Sequence, residues 1–461
     1  MISLWIAPHV AMIGGLLLGA LLVTHIIRQR GSPSAAIAWL LVIVLVPYVG
    51  VPLYLLLGGR KTRRTASRKT RIQLQQAGLK SALLAPPERL LLGDEIPPAT
   101  AANRLTLHAT GEEIYSSLVR LIESATRDIF ICVFILKSDA VGRDIVSRLA
   151  RKASEGVRVR LLLDSVGSFH TPRRALRPIA KAGGRYSFFL PVFRRPLGSH
   201  YNLRNHRKTV IVDGRCVFAG GANIADEYMG PQPAAGRWHD LTFTLEGPAV
   251  AHCLDLFRFD WRFATGEWIH AQPAQSPATG SGPSGAKIQV VPSGPDVRGD
   301  PLYDVLLMQA FSALRRIWFV TPYFVPDEAL LRALILAIRR GVDVRILVPS
   351  RSNHLLADFA GRSYLHEIRD AGGAVLEFPA MNHAKAVLVD SDLAVLGSAN
   401  ADIRSLLLNY EMGILVYSEG EIRAIETWMQ SLMSQARPQV RRTRPIVQIG
   451  EGLARLLASQ L

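Results

Sequence analysis

The chain carries one motif twice. NHRKTVIVDGRCVFAGGAN runs from Asn205 to Asn223, and NHAKAVLVDSDLAVLGSAN, of equal length, runs from Asn382 to Asn400. Both fit H-x-K-x4-D-x6-G-(G/S)-A-N. The first copy supplies His206, Lys208, Asp213, Gly220, Gly221, Ala222 and Asn223; the second supplies His383, Lys385, Asp390, Gly397, Ser398, Ala399 and Asn400. Such a repeat, more than 170 residues apart by the numbering, implies a duplicated domain rather than a solenoid.

The flanks repeat as well. EEIYSSLVRLIESATRDIFICVFIL (Glu112 to Leu136) and PLYDVLLMQAFSALRRIWFVTPYFV (Pro301 to Val325) each read as a helix followed by a buried strand. DIVSRLARKASEGVRVRLLLD (Asp144 to Asp164) and ALLRALILAIRRGVDVRILVP (Ala329 to Pro349) each read as a helix, a glycine stop and a strand. Alternating helix and strand predicts an α/β fold. The expected form is two mixed β-sheets flanked by helices, one per half, about a pseudo-twofold axis. AQPAQSPATGSGPSG (Ala271 to Gly285) has no charge and reads as a linker. The expected halves are therefore residues 104–270 and 286–440, with 271–285 between them. Residues 441–461 form a tail expected to be helical.

The 461 residues are too many for one small core, and the hydrophobic content of 49% is concentrated near the start. No Lys, Arg, Asp or Glu occurs from Met1 to Ile27, nor from Ala35 to Gly59. Each run is long enough to cross a bilayer, which needs about 20 apolar residues. A cleavable signal peptide fits poorly, because the start lacks a basic residue and a second run follows at once. A re-entrant hairpin is the better rival, since Pro47 and Pro52 interrupt the second run. The expectation is a two-helix transmembrane hairpin over 1–59, then a basic tether over 60–103 with little fixed structure beyond residue 72. RKTRRTASRKTR (Arg60 to Arg71) has seven basic residues and no acid, which places that side in the cytoplasm. The expected location is the bacterial inner membrane, multi-pass, with the carboxy-terminal part cytoplasmic. Next to the apolar runs, the net charge of +17 is read as attraction to anionic lipid. Cys132, Cys216 and Cys253 form no metal-type cluster and fit a reducing compartment.

Residues two apart on a strand share a face, so His and Lys of each motif would point into one site. Lys is a fixed positive charge for a phosphate oxygen, and Asn can donate to the same oxygens. His can attack phosphorus or protonate a leaving oxygen. Two such sets facing one phosphate give an attacking histidine and an acid, with charge stabilised by two lysines and two asparagines and no cofactor or metal required. The candidate catalytic set is His206, Lys208, Asp213, His383, Lys385 and Asp390. Asn223 and Asn400 are candidates for phosphate binding. Strand-end Asp often bonds nearby backbone, so Asp213 and Asp390 are expected to serve structure more than chemistry. Tyr228 and Trp238 are read as core aromatics more readily than as pocket lining.

These residues resemble the duplicated HxK(x)4D hallmark of the phospholipase D superfamily. NLRNHRK (Asn202 to Lys208), GGANIADEYMG (Gly220 to Gly230), TPYFVPDEALL (Thr321 to Leu331) and ANADIRSLLLNYE (Ala399 to Glu411) resemble the bacterial cardiolipin synthase branch. Asn382, before the second motif histidine, departs from the apolar residue more usual in that branch. The resemblance implies a phosphohistidine mechanism, with His206 as nucleophile and His383 as acid and then base. It also implies a carboxylate behind each histidine; the matching positions are Asp240, in RWHD, and Glu411, in NYE.

The implied activity is transfer of a phosphatidyl group from one phosphatidylglycerol to another, releasing glycerol. A membrane-bound phospholipase D differs only in its acceptor, water. A nuclease of the superfamily fits less well, because the basic run lies beside an apolar span instead of lining an aromatic-interleaved groove. No nucleic-acid partner is expected, and a purely membrane-binding protein would not need two histidines. The sequence does not specify an oligomeric state. Arg194, Arg195, Arg204 and Arg207 crowd the approach to the first motif, either for a headgroup or as a solvated basic loop.

Overall fold

The computed structural model describes residues 33–46, 84–191, 203–274 and 285–439, with single positions 24, 48, 50, 51, 54, 69, 72, 74 and 451. Nearly all of the first apolar run, the basic run apart from Lys69, Arg194, Arg195, the middle of the linker and almost all of the tail lie outside the described residues.

Two helices precede the first half: α1 (Pro33–Leu45) and α2 (Pro86–Gly93). The first half then runs β1 (Thr100–His108), α3 (Gly111–Glu123), β2 (Asp128–Val133), α4 (Ala140–Ser154), β3 (Arg158–Asp164), α5 (Arg173–Lys181) and β4 (Arg185–Phe189). It closes with β5 (Thr209–Val212), β6 (Cys216–Gly220), β7 (Thr242–Glu246) and α6 (Val250–Thr265). The second half runs β8 (Ala286–Ser293), α7 (Pro301–Ser312), β9 (Arg316–Val320), β10 (Phe324–Val325), α8 (Glu328–Arg339), β11 (Asp343–Pro349) and α9 (Leu355–Asp370). It continues through β12 (Ala374–Phe378), β13 (Ala386–Val389), β14 (Leu393–Gly397), β15 (Ala401–Asp402), α10 (Ile403–Leu407), β16 (Glu411–Val416), α11 (Glu419–Gln435) and β17 (Arg437–Pro438).

Local chemistry sets these boundaries. Thr110 caps α3: its hydroxyl accepts from Glu113 N at 3.2 Å, and the Glu113 carboxylate accepts Thr110 N in return. Asp139 and Asp327 cap α4 and α8. The glycine stops read from the sequence are left-handed, with φ of 91° at Gly156 and 87° at Gly341, where a side chain would be strained.

The strand order in the first half is β1-β7-β6-β5-β2-β3-β4, and in the second β8-β16-β14-β13-β9-β11-β12 with β17 at the edge. The duplication is thus complete at the level of topology. In each half three strands are parallel, β2-β3-β4 and β9-β11-β12, and the motif strands beside them are antiparallel. The halves do not keep separate sheets, as the sequence led us to expect. β1 is long enough for Arg104–His108 to pair with β7 while Thr100 and Asn103 pair with β8, which joins both halves into one 15-stranded sheet. A register shift at this seam is clamped by buried Asn103, whose amide donates to Ala286 O at 3.1 Å and whose Oδ1 accepts Ala249 N at 2.9 Å. On one face α6 and α11 share a single core with both halves; α3 to α5 and α7 to α9 cover the other face.

Two regions before β1 differ from expectation. Residues 86–103 are not a loose tether. α2 packs Leu91 against the second half, and buried Glu88 accepts Ala85 N and Ala99 N and pairs with Lys287 at 2.6 Å. Lys69, from the run read as a cytoplasmic-side signal, and Ile72 and Leu74, from the expected tether, are also buried. Within the second apolar run the chain turns back. Trp39 and Tyr54 meet edge to face at 5.3 Å, and Gly50 lies against Val42. A straight helix would hold Trp39 and Tyr54 about 22 Å apart, so this run is not one continuous span. Among the described residues no helix is long and apolar enough to cross a membrane.

Candidate active site

His206 and Lys208 lie in an extended segment leading into β5, and His383 and Lys385 lie in the matching segment before β13. Each segment crosses the seam. His206 N donates to Tyr410 O, and Tyr410 N donates to Arg204 O, both at 2.9 Å. In mirror fashion His383 N donates to His239 O at 2.6 Å, and His239 N donates to Met381 O at 2.9 Å. Asn205 and Asn382 occupy equivalent places, each accepting an amide two residues on, at 3.1 and 3.2 Å.

The carboxylates exchange halves. His206 Nδ1–H donates to Glu411 Oε1 at 2.9 Å, and His383 Nδ1–H donates to Asp240 Oδ2 at 2.8 Å. In each pair the histidine comes from one half and the acid from the other. The bond fixes the proton on Nδ1 and leaves Nε2 with a lone pair. The G/S position of the motif explains how two different acids reach equivalent places. A Cβ on Gly221 would lie 2.0 Å from Asp240 Oδ1, so glycine is needed where the short acid approaches. In the second copy Ser398 stands there, and its hydroxyl donates to Glu411 Oε2. All four side chains are buried.

Burial dominates the electrostatics. It lowers the pKa of His206, against the raising influence of Glu411, and lowers that of His383 well below the ordinary value, with Lys385 and Lys208 adding to the effect. It brings Lys208 down to about 7 and Lys385 to about 8, and pushes the Asp240 carboxyl up to about 7. His206 Nδ1 lies 3.2 Å from Ser398 O of the second motif, and Asp240, which holds His383, lies against Gly221 of the first, so the two motifs share one site. Lys208 Nζ donates to His206 O at 2.7 Å, and Lys385 Nζ lies 3.1 Å from His383 Nε2. Asn223 Oδ1 accepts Ile135 N at 3.1 Å, which orients its amide; Asn400 Oδ1, also buried, has no donor among the described residues.

Asp213 and Asp390 are occupied elsewhere. Asp213 accepts the amides of Thr126, Arg127 and Asp128 at 2.7 to 2.9 Å, and Asp390 those of Leu314, Arg315 and Arg316 at 2.8 to 3.0 Å. Burial opposes their ionisation, but the backbone donors more than offset it and lower both pKa values. Both have left-handed φ, 53° and 49°. They tie the motif hairpins to the preceding strands, the structural part expected of them.

A family profile described as "Cardiolipin synthase, PLD-like domain" matches residues 118–258 and 306–433, and one described as "Phospholipase_D-nuclease N-terminal" matches residues 17–59. Cardiolipin synthase A of Pseudomonas aeruginosa is 33% identical, covering 97% of this chain and 95% of its own. Cardiolipin synthase 1 of Bacillus cereus is 35% identical, covering 86% and 82%. The chain belongs to the cardiolipin synthase family. Its fold extends further: a phosphatidylserine synthase from Haemophilus influenzae matches with a TM-score of 0.62 at 14% identity, covering 82% of this chain and 100% of its own.

Several side chains around this site had not been placed there from sequence. Phe134 meets the His206 ring edge-on at 4.8 Å. Tyr228 and Trp238 belong to the core of the first half, as expected, and also lie 5.1 and 5.8 Å from the His383 ring. Arg207 faces away from solvent: it grips Asp260 at 2.7 and 2.9 Å and donates to Glu411 O at 3.0 Å. Lys69 joins this cluster, pairing with Asp260 and with Asp296 at 2.6 Å, its ammonium 4.5 Å from the Tyr410 ring centre. The second motif has Ala384 where the first has Arg207, and that asymmetry was the available signal.

Proposed function

We propose that the chain is a cardiolipin synthase: it transfers a phosphatidyl group from one phosphatidylglycerol to another and releases glycerol. The observation that carries this reading is the pair of buried histidines, each held by a carboxylate of the opposite half, with two lysines beside them.

His206 Nε2 attacks phosphorus, forming a P–N bond. The bond from phosphorus to the glycerol oxygen breaks, and His383 gives that oxygen a proton. A second phosphatidylglycerol then presents a free glycerol hydroxyl. His383 takes its proton, the oxygen attacks phosphorus and the P–N bond breaks. Lys208, Lys385, Asn223 and Asn400 bind the non-bridging oxygens, and the fixed charge serves the crowded transition state best. Burial favours the neutral form of His206, as a nucleophile requires. The first step consumes an Nε2 proton that His383 carries when the donor is bound, held against the Asp240 carboxylate, and the second step restores it from the acceptor hydroxyl.

Residues 1–59 attach the enzyme to the inner membrane of a bacterial cell, with the catalytic halves on the cytoplasmic side. The units are the membrane segment, the juxtamembrane residues 60–103, the two halves and the tail. Membranes containing the protein, supplied with labelled phosphatidylglycerol, test the reading. Cardiolipin and glycerol in equal amounts, both lost in H206A and H383A, are expected. Phosphatidic acid as the main product would assign a hydrolase instead.

A further inference from the structure

Two loops at the motif end of the sheet expose apolar side chains that a buried site does not need. The first follows β3 and presents Val166 and Phe169; the second follows β11 and runs into the start of α9, which presents Leu355, Leu356 and Phe359. Outside residues 37–48, the described large apolar residues that are exposed number eight, and five lie on these two loops or the helix start that ends the second. β3 and β11 are equivalent strands of the two halves, so the pattern is paired and not scattered.

Both loops adjoin the site. The first is seated on Phe134, the ring against His206: Ser168 Oγ donates to Phe134 O at 2.9 Å, and a Cβ on Gly167 would meet that oxygen at 2.3 Å. Asp164, at its base, accepts Asn205 N beside the catalytic histidine. In the second, His354 lies 5.6 Å from the Tyr323 ring, and Thr321 Oγ1, which donates to Tyr323 O, accepts Ala401 N next to Asn400.

Cations surround the apolar tips. α5 begins directly after the first loop and presents Arg173, Arg174, Arg177 and Lys181 without an acid. Exposed Arg351 precedes the second tip, and the Arg362 guanidinium stacks on Phe359 at 5.1 Å. Apolar tips with a basic surround match an anionic bilayer surface, where rings enter the headgroup boundary and cations meet lipid phosphates.

We propose that these two loops dock the catalytic face directly on an anionic membrane, one on each side of the site, independently of residues 1–59. Docking there places lipid phosphates at the site without lifting a whole phospholipid into water. The proposal rests on the lipid substrate argued above.

The native cysteines are all buried, so a cysteine at a tip can be labelled selectively in the full-length protein. F169C, L356C and, as a control, L314C would carry an environment-sensitive fluorophore in vesicles of phosphatidylglycerol and phosphatidylcholine. Leu314 is exposed and lies at the opposite end of the strands, beside Asp390. Blue-shifted emission and quenching by brominated lipid are expected at 169 and 356 and not at 314. Emission at 169 and 356 as water-like as at 314 would overturn the proposal, as would burial that depends on protein concentration and not on lipid, which would indicate a second copy.

A second arm uses F169S/L355S/L356S and R173Q/R174Q. Turnover of vesicle phosphatidylglycerol should need a higher surface concentration, roughly fivefold for each arginine removed, while monomeric short-chain phosphatidylglycerol is turned over as by the parent. Equal loss on both substrates would refute docking. No turnover of either by the parent would refute the substrate instead.

Discussion

Glu411 holds His206 across the seam between the halves, at 2.9 Å, and Asp240 returns the arrangement to His383 at 2.8 Å. Neither histidine is oriented by its own half. E411Q and D240N should therefore each lower kcat on the order of 10²- to 10⁴-fold, the range for a mispositioned acid or base. KM should change little, because the lysines remain. Glycerol release from labelled phosphatidylglycerol measures this. Loss of KM with kcat retained would show that the acids serve substrate binding.

The pH profile should be bell-shaped. His206 is depressed by burial, so the acid limb of kcat/KM should lie below the ordinary histidine value of about 6.5. The alkaline limb should begin between about 7 and 8, where Lys208 and Lys385 lose their protons. A bound phosphodiester favours the charged lysines, so the alkaline limb of kcat should lie higher than that of kcat/KM. Stability follows by linkage. Below about 6.5 the unfolded chain binds protons that folded His206 and His383 refuse, so their contribution is lost as pH falls through that window. A thermal melt against pH reads this directly.

D213A and D390A should damage stability and spare chemistry. Each leaves three backbone amides without their carboxylate and puts alanine at a left-handed φ. The cost should be roughly 2–4 kcal/mol per variant. The folded fraction should keep its kcat; a folded variant that melts like the parent and fails to turn over would give these aspartates a chemical role.

K69M should destabilise by on the order of 3–5 kcal/mol, because it leaves the buried carboxylates of Asp260 and Asp296 to share Arg207. Adding D296N to K69M should recover much of that loss, since the second change restores one carboxylate to one cation. A double variant less stable than K69M would refute charge balance as the reason for burying this lysine.

The duplicated motif, the alternation of helix and strand and the glycine stops Gly156 and Gly341 were legible because each depends on local spacing. The residues at the site were legible because they recur. What spacing does not reveal is partnership over long range. Asp240 lies 34 residues after His206, yet it serves His383, and only the seam explains why. The joined sheet was illegible because it depends on one nine-residue strand serving two neighbours. Lys69 was misread because a lysine among arginines beside an apolar run looks like a topology signal; its partners Asp260 and Asp296 lie 191 and 227 residues away.

The buried position of Lys69 bears on how the enzyme can be handled. A water-soluble version would ordinarily be sought by cutting just after the basic run, on the view that everything before the first strand is leash. Such a cut would take away a cation paired with two interior aspartates, and the residues that lead into Ile72 and Leu74 of the shared core. A fragment starting before Lys69 keeps them. The boundary of the folded enzyme thus lies before that lysine, and purification yield, not activity alone, should register the difference.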